Sequence, residues 1–225
     1  MLQAVNRGFR HMSRNILKKI MGPEVHTHSC STNSRNCKVA NGVDVGVNRI
    51  FWVDMEMTGL DIENDQIMEI ACLVTDSDLN IVAEGPEIVI NHTQNTINQM
   101  GEWCTKQHSS SGLIQKCLDS KISLIEAEQN VLDFAKAHLP ENTSPLAGNS
   151  VYVDRGFLRK YMPKVDDYLH YRIIDVSTIK ELCRRWNSEV YKNIPKKDFS
   201  HRALQDIKES VQELQFYRNY FFKLS

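Results

Sequence analysis

Asp54 and Glu56 stand two residues apart at the end of an apolar run, Ile50-Phe51-Trp52-Val53, just before a Thr58-Gly59 turn. Residues two apart on a strand share a face. An extended segment over 50–56 therefore sends both carboxylates off the same side of a sheet, where the apolar run gives out. Adjacent anions repel, and a chain that sets them side by side usually holds cations between them. A solvated strand end with ordinary surface charge has the same local pattern, so the choice rests on what lies further along.

Three more residues bear on it. Asp154 follows a Gly148-Asn149-Ser150 corner, at the edge of an apolar stripe formed by Phe157, Leu158 and Tyr161. His201 and Asp206 are five apart near the start of the last helical pattern. Five helical residues turn about 140° around the axis, so the two face one site only if His201 precedes the helix and Asp206 lies in it. Taken singly, Asp154 reads as a boundary residue and His201 as a surface one. Taken together, the four carboxylates Asp54, Glu56, Asp154 and Asp206 match hard divalent cations such as Mg²⁺ or Mn²⁺, which take oxygen ligands. Two such ions ~3.5–4 Å apart clamp the attacking and leaving oxygens of a phosphodiester. His201, neutral near pH 7, is then the group that takes the proton from water. That chemistry is metal-assisted phosphodiester hydrolysis.

The elements that must position these residues follow from periodicity. Strands are predicted over 50–56, 66–75 and 81–90, the last interrupted by Gly85-Pro86 as at a bend or an edge. Short connections make them an antiparallel meander. A helical stretch follows, with Trp103 in a polar loop or short helix. Ser123 caps a helix running to Leu139 and stopped by Pro140. Residues 145–148 form a short strand, and Asn149-Ser150 are expected to cap a helix reaching about Met162. A strand over 171–174 leads to a helix opened by Asp175 and ending near Trp186, and residues 187–199 read as a loop. The last helix spans about 202–222, with Ala203, Leu204, Ile207, Val211, Leu214, Tyr217 and Phe221 on one face. Strands first, then strands alternating with helices, give an α/β fold, a mixed sheet flanked by helices.

A chain of 225 residues suits one domain with an appended tail. Its net charge of −1 gives no global pull on nucleic acid, so a polyanion must be gripped locally by metal or a few cationic groups. No apolar run approaches the ~20 residues of a membrane span. The six cysteines are scattered and follow no secretory signal, which favours reduced thiols inside a cell. Arg7, Arg10, Arg14, Lys18 and Lys19 precede the first acid, Glu24, while Leu2, Val5, Phe9, Met12, Ile16 and Ile20 form a helical stripe. A basic amphipathic start without acids reads as a mitochondrial transit peptide, against a plain basic tail. The expected organisation is a targeting segment and linker over 1–47 and the domain over 48–225, placing the protein in the mitochondrial matrix, with the cytoplasm or nucleus as additional locations.

An Asp-x-Glu at a strand end, a middle Asp on a helix and a late His-x4-Asp resemble the DEDDh 3′→5′ exonucleases of the ribonuclease H-like superfamily. Within them the likeness narrows to the oligoribonuclease family. Trp52-Val53-Asp54-Met55-Glu56-Met57-Thr58-Gly59-Leu60 is similar to its first motif nearly throughout. Ala83-Glu84-Gly85-Pro86, Ser111-Gly112-Leu113, Gly148-Asn149-Ser150, His170-Tyr171-Arg172, Asp175-Val176-Ser177-Thr178 and Asp206-Ile207-Lys208-Glu209-Ser210 look like its other hallmarks. The resemblance covers about residues 48–224. It implies a ribonuclease H-like fold and a two-metal 3′→5′ exoribonuclease that degrades oligoribonucleotides of a few nucleotides to 5′-mononucleotides. His201, Asp54, Glu56, Asp154 and Asp206 would be catalytic, the four acids as ligands of two Mg²⁺ or Mn²⁺ ions. Leu60 would wedge between bases and Trp103 would stack on the 3′ base. Ser150, Arg172 and Ser177 would hold the 5′ phosphate, and Tyr171 would reach the neighbouring subunit's substrate in a homodimer. Gly156 and Gln205 depart from the family pattern, the first where many relatives carry a basic residue and the second where they carry an acid. A general exonuclease of long strands and a binding module on an inactive nuclease fold are the rival readings. The missing basic track argues against the first, and the five intact catalytic positions argue against the second.

Overall fold

The computed structural model describes Gly46, residues 48–195 and residues 203–222. The predicted targeting segment and linker, except for Gly46, and the predicted base His201 lie outside the described residues. The strands β1 (Ile50–Met57), β2 (Ile67–Thr75) and β3 (Ile81–Val89) come first. They are followed by the helices α1 (Gln94–Asn98), α2 (Glu102–Ser110), α3 (Leu113–Asp119) and α4 (Leu124–His138). Then come β4 (Pro145–Gly148), α5 (Tyr152–Tyr161), α6 (Pro163–Tyr168), β5 (His170–Asp175), α7 (Val176–Trp186), α8 (Ser188–Lys192) and α9 (Ala203–Tyr220).

One five-stranded sheet has the order β3-β2-β1-β4-β5. β1 pairs antiparallel with β2 and parallel with β4, so it is central, and β2 pairs antiparallel with β3. The meander and the mixed sheet are as the periodicity predicted. β1 sorts its residues by parity. Phe51, Val53 and Met55 enter one core with Ala127, Val131, Leu132 and Ala135 of α4 and Phe157 and Leu158 of α5. Ile50 and Trp52 enter a second core with Val176 and Cys183 of α7 and Ala203, Ile207, Val211 and Tyr217 of α9. Both faces of the sheet are thus covered by helices. Every residue of β2 is buried, which fits its nearly unbroken apolar run. Trp52 is wholly buried, and its indole N–H is satisfied by Thr75 Oγ1 at 3.0 Å.

Two local expectations change, and one further helix is unforeseen. Residues 187–199 contain the short helix α8, started by the Asn187 side chain accepting the Val190 N–H. Pro163 opens α6, a helix with no apolar period to announce it. Asn149 and Ser150 do not cap α5. Val151 occupies that position, and Ser150 takes a left-handed backbone with φ +52°.

Candidate active site

Along the even face of β1 the apolar core ends at Trp52, and the next two even residues are Asp54 and Glu56. Helix α9 lies over the same face with Ala203 and Ile207 in the core, and it carries Asp206 in its first turn. One carboxylate oxygen from each of Asp54, Glu56 and Asp206 falls within a single 4.8 Å group. The helix that seals this half of the sheet therefore delivers the third acid to the other two.

This trio is electrostatically costly as it stands. Glu56 is pushed up to about 7, first by burial and then by the charges of Glu69 and Asp206. Glu69 is its direct cross-strand partner and is itself buried. His108 of α2 faces Glu56 from the other side, Nδ1 to Oε2 3.8 Å, while its Nε2 bonds the Met57 carbonyl at 2.9 Å. A carbonyl oxygen only accepts, so Nε2 carries a proton in that bond. Closely set, partly buried oxygen donors with excess negative charge suit a hard divalent cation, so the residues present fit such an ion.

Asp154 stands outside this trio. It is 7% exposed on α5, and burial raises it to about 7 although its own and the Met55 backbone N–H groups donate to it. The charges of Asp175 and Glu56 raise it further. Its placement begins at Gly148, where a Cβ would lie 2.8 Å from the Val53 carbonyl oxygen. Only glycine lets the end of β4 approach β1 so closely. The left-handed Ser150 then turns the chain into α5, its N–H donated to Asp175 Oδ1 at 3.0 Å. The same oxygen accepts the Ser177 N–H at 2.9 Å and starts α7.

Three of the predicted substrate-binding residues are exposed side chains. Leu60 is 74% exposed, Trp103 on α2 73% and Tyr171 on the edge strand β5 70%. None of these is a core residue or buried turn filler. Leu60 sits on a latched loop. Thr58 Oγ–H donates to Asp65 Oδ1 at 2.8 Å, and the Asp61 N–H to Asp65 Oδ2 at 2.9 Å. Lys160 Nζ donates to the carbonyls of Ile62 and Glu63, and Tyr161 Oη–H to that of Asp65. Gly59 is required because a Cβ there would run into the Asp65 carboxylate. Gly156, at its departure from the family pattern, leaves room on α5 for Ile62 of the same loop. Ser150 Oγ and Ser177 Oγ are 3.2 Å apart, and the exposed Arg172 lies over the Tyr171 ring at 5.5 Å.

The family model for exonucleases matches residues 51–214, the whole of this arrangement. The probable oligoribonuclease of Drosophila melanogaster is 48% identical over 200 residues, 89% of this chain and 93% of its own length. This chain belongs to the oligoribonuclease family. The human relative, named mitochondrial oligoribonuclease, is 57% identical over 175 residues, 78% of this chain and 74% of its own. The oligoribonuclease of Marinobacter nauticus is 53% identical over 176 residues, covering 78% and 97%. Among solved structures, the exonuclease I of Methylocaldum szegediense aligns with a TM-score of 0.60 at 16% identity over 78% of this chain. Only 41% of that longer protein is spanned, so the likeness is one of fold. The enzyme is thus an exonuclease on a ribonuclease H-like sheet, and its acidic cluster accords with dependence on a divalent metal.

Sequence reasoning passed over Glu69 and His108. Glu69 had one available signal, an acid within an otherwise apolar strand, but its position opposite Glu56 depends on a register that shifts at Glu56/Met57. His108 carried no signal of its own.

Proposed function

We propose that Asp54, Glu56, Asp154 and Asp206 hold two Mg²⁺ or Mn²⁺ ions and that His201 takes the proton from the attacking water. The enzyme is a 3′→5′ exoribonuclease of short oligoribonucleotides, releasing 5′-mononucleotides. The observation that carries the metal reading is the convergence of three carboxylates within 4.8 Å at the end of the central strand. When bound, the ions supply Lewis acidity for generating hydroxide and steadying the leaving oxygen.

The remaining roles belong to the chain's own side chains. The latched loop displays Leu60 as a wedge against the bases, and the exposed Trp103 face receives the 3′ base by stacking. The Ser150 and Ser177 hydroxyls, with Arg172, bind the 5′ phosphate, a reading supported by the 3.2 Å between the two serine oxygens. Tyr171, exposed on the edge strand, would reach the substrate of a second copy in a homodimer, as the family resemblance implies. With a net charge of −1 and these few grips, the protein suits fragments of a few nucleotides rather than long single strands. No helix among the described residues is long and apolar enough to cross a membrane. The human, cow and mouse relatives are named mitochondrial, which supports residues 1–47 as targeting segment and linker, 48–225 as the exonuclease domain, and the matrix as destination.

An exonuclease I from E. coli, similar at a TM-score of 0.54 and 13% identity over 76% of this chain and 40% of its own, was solved with a 5cy-dT13 oligonucleotide. A long-strand DNA exonuclease is therefore the reading to test against. With Mn²⁺ and a dinucleotide, a 5-mer and a 25-mer as RNA and as DNA, the dinucleotide and 5-mer RNA are expected to turn over fastest. Equal or faster hydrolysis of the 25-mer would overturn the short-substrate reading. Undiminished cleavage by Asp54→Ala would overturn the metal assignment.

A further inference from the structure

The Gly148-Asn149-Ser150 corner and the Asp206–Ser210 turn are joined by side chains to which the chemistry above gives no work. Asn149 Nδ2 donates to Ser210 Oγ at 2.6 Å, and Ser210 Oγ–H donates to the Asp206 carbonyl at 2.8 Å. On the other side of the amide, Ser177 Oγ–H donates to Asn149 Oδ1 at 3.3 Å, and Ser150 Oγ–H donates to Ser177 Oγ at 3.2 Å. The four bonds run in one direction. Because the Ser210 proton is committed to Asp206, its oxygen must accept, so Asn149 must present its NH₂ there. Its Oδ1 then faces Ser177, whose proton is committed in turn. Such chains polarise one another and hold their members in a single arrangement.

The relay has one end at the two hydroxyls assigned to the 5′ phosphate and the other on the backbone of the acid in the metal trio. Ser210 is 4% exposed, one helical turn past Asp206 on α9, whereas Ser150 is exposed. Ser150 is held in its left-handed backbone by Asp175, so the phosphate end cannot drift independently. We infer that Asn149 and Ser210 are positioning residues that fix the separation between the 5′-phosphate grip and the hydrolytic centre, and so act as the ruler for substrate length. This rests on the reading of Ser150 and Ser177 as phosphate ligands. A phosphate can only accept, so it takes the Ser150 O–H in place of Ser177 Oγ, while Ser177 still donates to Asn149 Oδ1, and through Asn149 and Ser210 the remaining relay sets where Asp206 stands. The 5′ phosphate should then accelerate turnover, not only tighten binding.

The test uses the full chain with Mn²⁺ and a diribonucleotide bearing either a 5′ phosphate or a 5′ hydroxyl. In the parent the phosphate is expected to lower KM and raise kcat. In Ser210→Ala the KM advantage should persist while the kcat advantage falls by on the order of tenfold, about what one lost hydrogen bond gives when it acts only in the transition state. Asn149→Ala should do the same, and the double variant should be no slower than the worse single one, since both break one chain. Equal kcat losses on the two substrates, or losses that multiply in the double variant, would overturn the ruler and leave the phosphate reading standing. No effect of the 5′ phosphate on the parent's KM would overturn both. If Ser210→Ala does not fold, Asn149→Ala, at a half-buried position, decides the question by the same split between kcat and KM.

Discussion

Asp154→Asn separates the electrostatic cost of a carboxylate from its shape. The side chain is 7% exposed, and burial lifts its carboxyl from 3.8 to about 7. A group raised in this way favours folding while protonated. Its contribution is complete below 3.8, declines as pH rises, and is gone above about 7, where the anion is destabilised by about 4 kcal/mol relative to the unfolded chain. Asparagine keeps the volume and an oxygen for the Met55 N–H, but it never titrates. Its NH₂ lacks the partner a protonated oxygen needs less urgently, costing ~1–3 kcal/mol at every pH. That term cancels when two pH values are compared. Between pH 5 and pH 8, in EDTA, the variant should gain about 2–3 kcal/mol on the parent, from the roughly two pH units over which the parent's carboxyl ionises. Urea denaturation at the two pH values measures it directly. Adding Mn²⁺ at pH 8 should stabilise the parent markedly and the variant less, while the variant's exonuclease activity is lost. If the stability difference between variant and parent is the same at pH 5 and pH 8, Asp154 is not a buried anion awaiting a cation, and the argument for its role falls.

Trp103→Ala should leave the thermal midpoint almost unchanged, because the ring is 73% exposed, while raising KM for a dinucleotide by roughly 5- to 150-fold, the ~1–3 kcal/mol of a stacked base. A fall in Tm with an unaltered KM would show the ring to be structural. Asp65→Ala removes the acceptor of the Thr58 hydroxyl and the Asp61 N–H. Faster hydrogen exchange at residues 58–62 and a roughly tenfold lower kcat/KM are expected from a loosened Leu60, and unchanged exchange would mean that the latch is held by Lys160 and Tyr161 alone. Burial, reinforced by neighbouring acids, lifts both Glu56 and Asp154 to about 7. Divalent metal should therefore bind more tightly as pH rises from 5.5 to 8, with proton release below 7 that fades above it. Calorimetry in buffers of differing ionisation enthalpy reads that release, and its absence at pH 6 would contradict the raised carboxyls.

What could be read from the sequence was what depends on period. Period two put Asp54 and Glu56 on one face and Phe51, Val53 and Met55 on the other; the structure packs the latter three in one core and Ile50 and Trp52 in the second, whose face the two acids continue. The stripe through Ala203, Ile207, Val211 and Tyr217 fixed the buried side of α9, hence the direction of Asp206. What could not be read depended on relations between elements or on strain. Glu69 faces Glu56 only through a register with an irregularity in it. Asn149 and Ser150 have the residue types of helix caps, yet the approach of Gly148 to Val53 leaves so little room that the chain must turn through a left-handed serine.

That failure has a physical meaning. Two residues that serve best as caps were diverted from capping, and α5 begins without a side-chain cap at Val151. An absent cap typically costs about 1 kcal/mol, and a non-glycine residue in the left-handed region costs of the same order. The corner accepts both penalties, and in return the Ser150 hydroxyl sits at the rim beside Ser177 and the Asn149 amide is free to reach α9. A corner selected for stability alone would use Asn149 or Ser150 as the cap and glycine at the left-handed position. Its actual chemistry makes sense only if the distance between the rim and Asp206 matters more to this enzyme than the stability it forgoes.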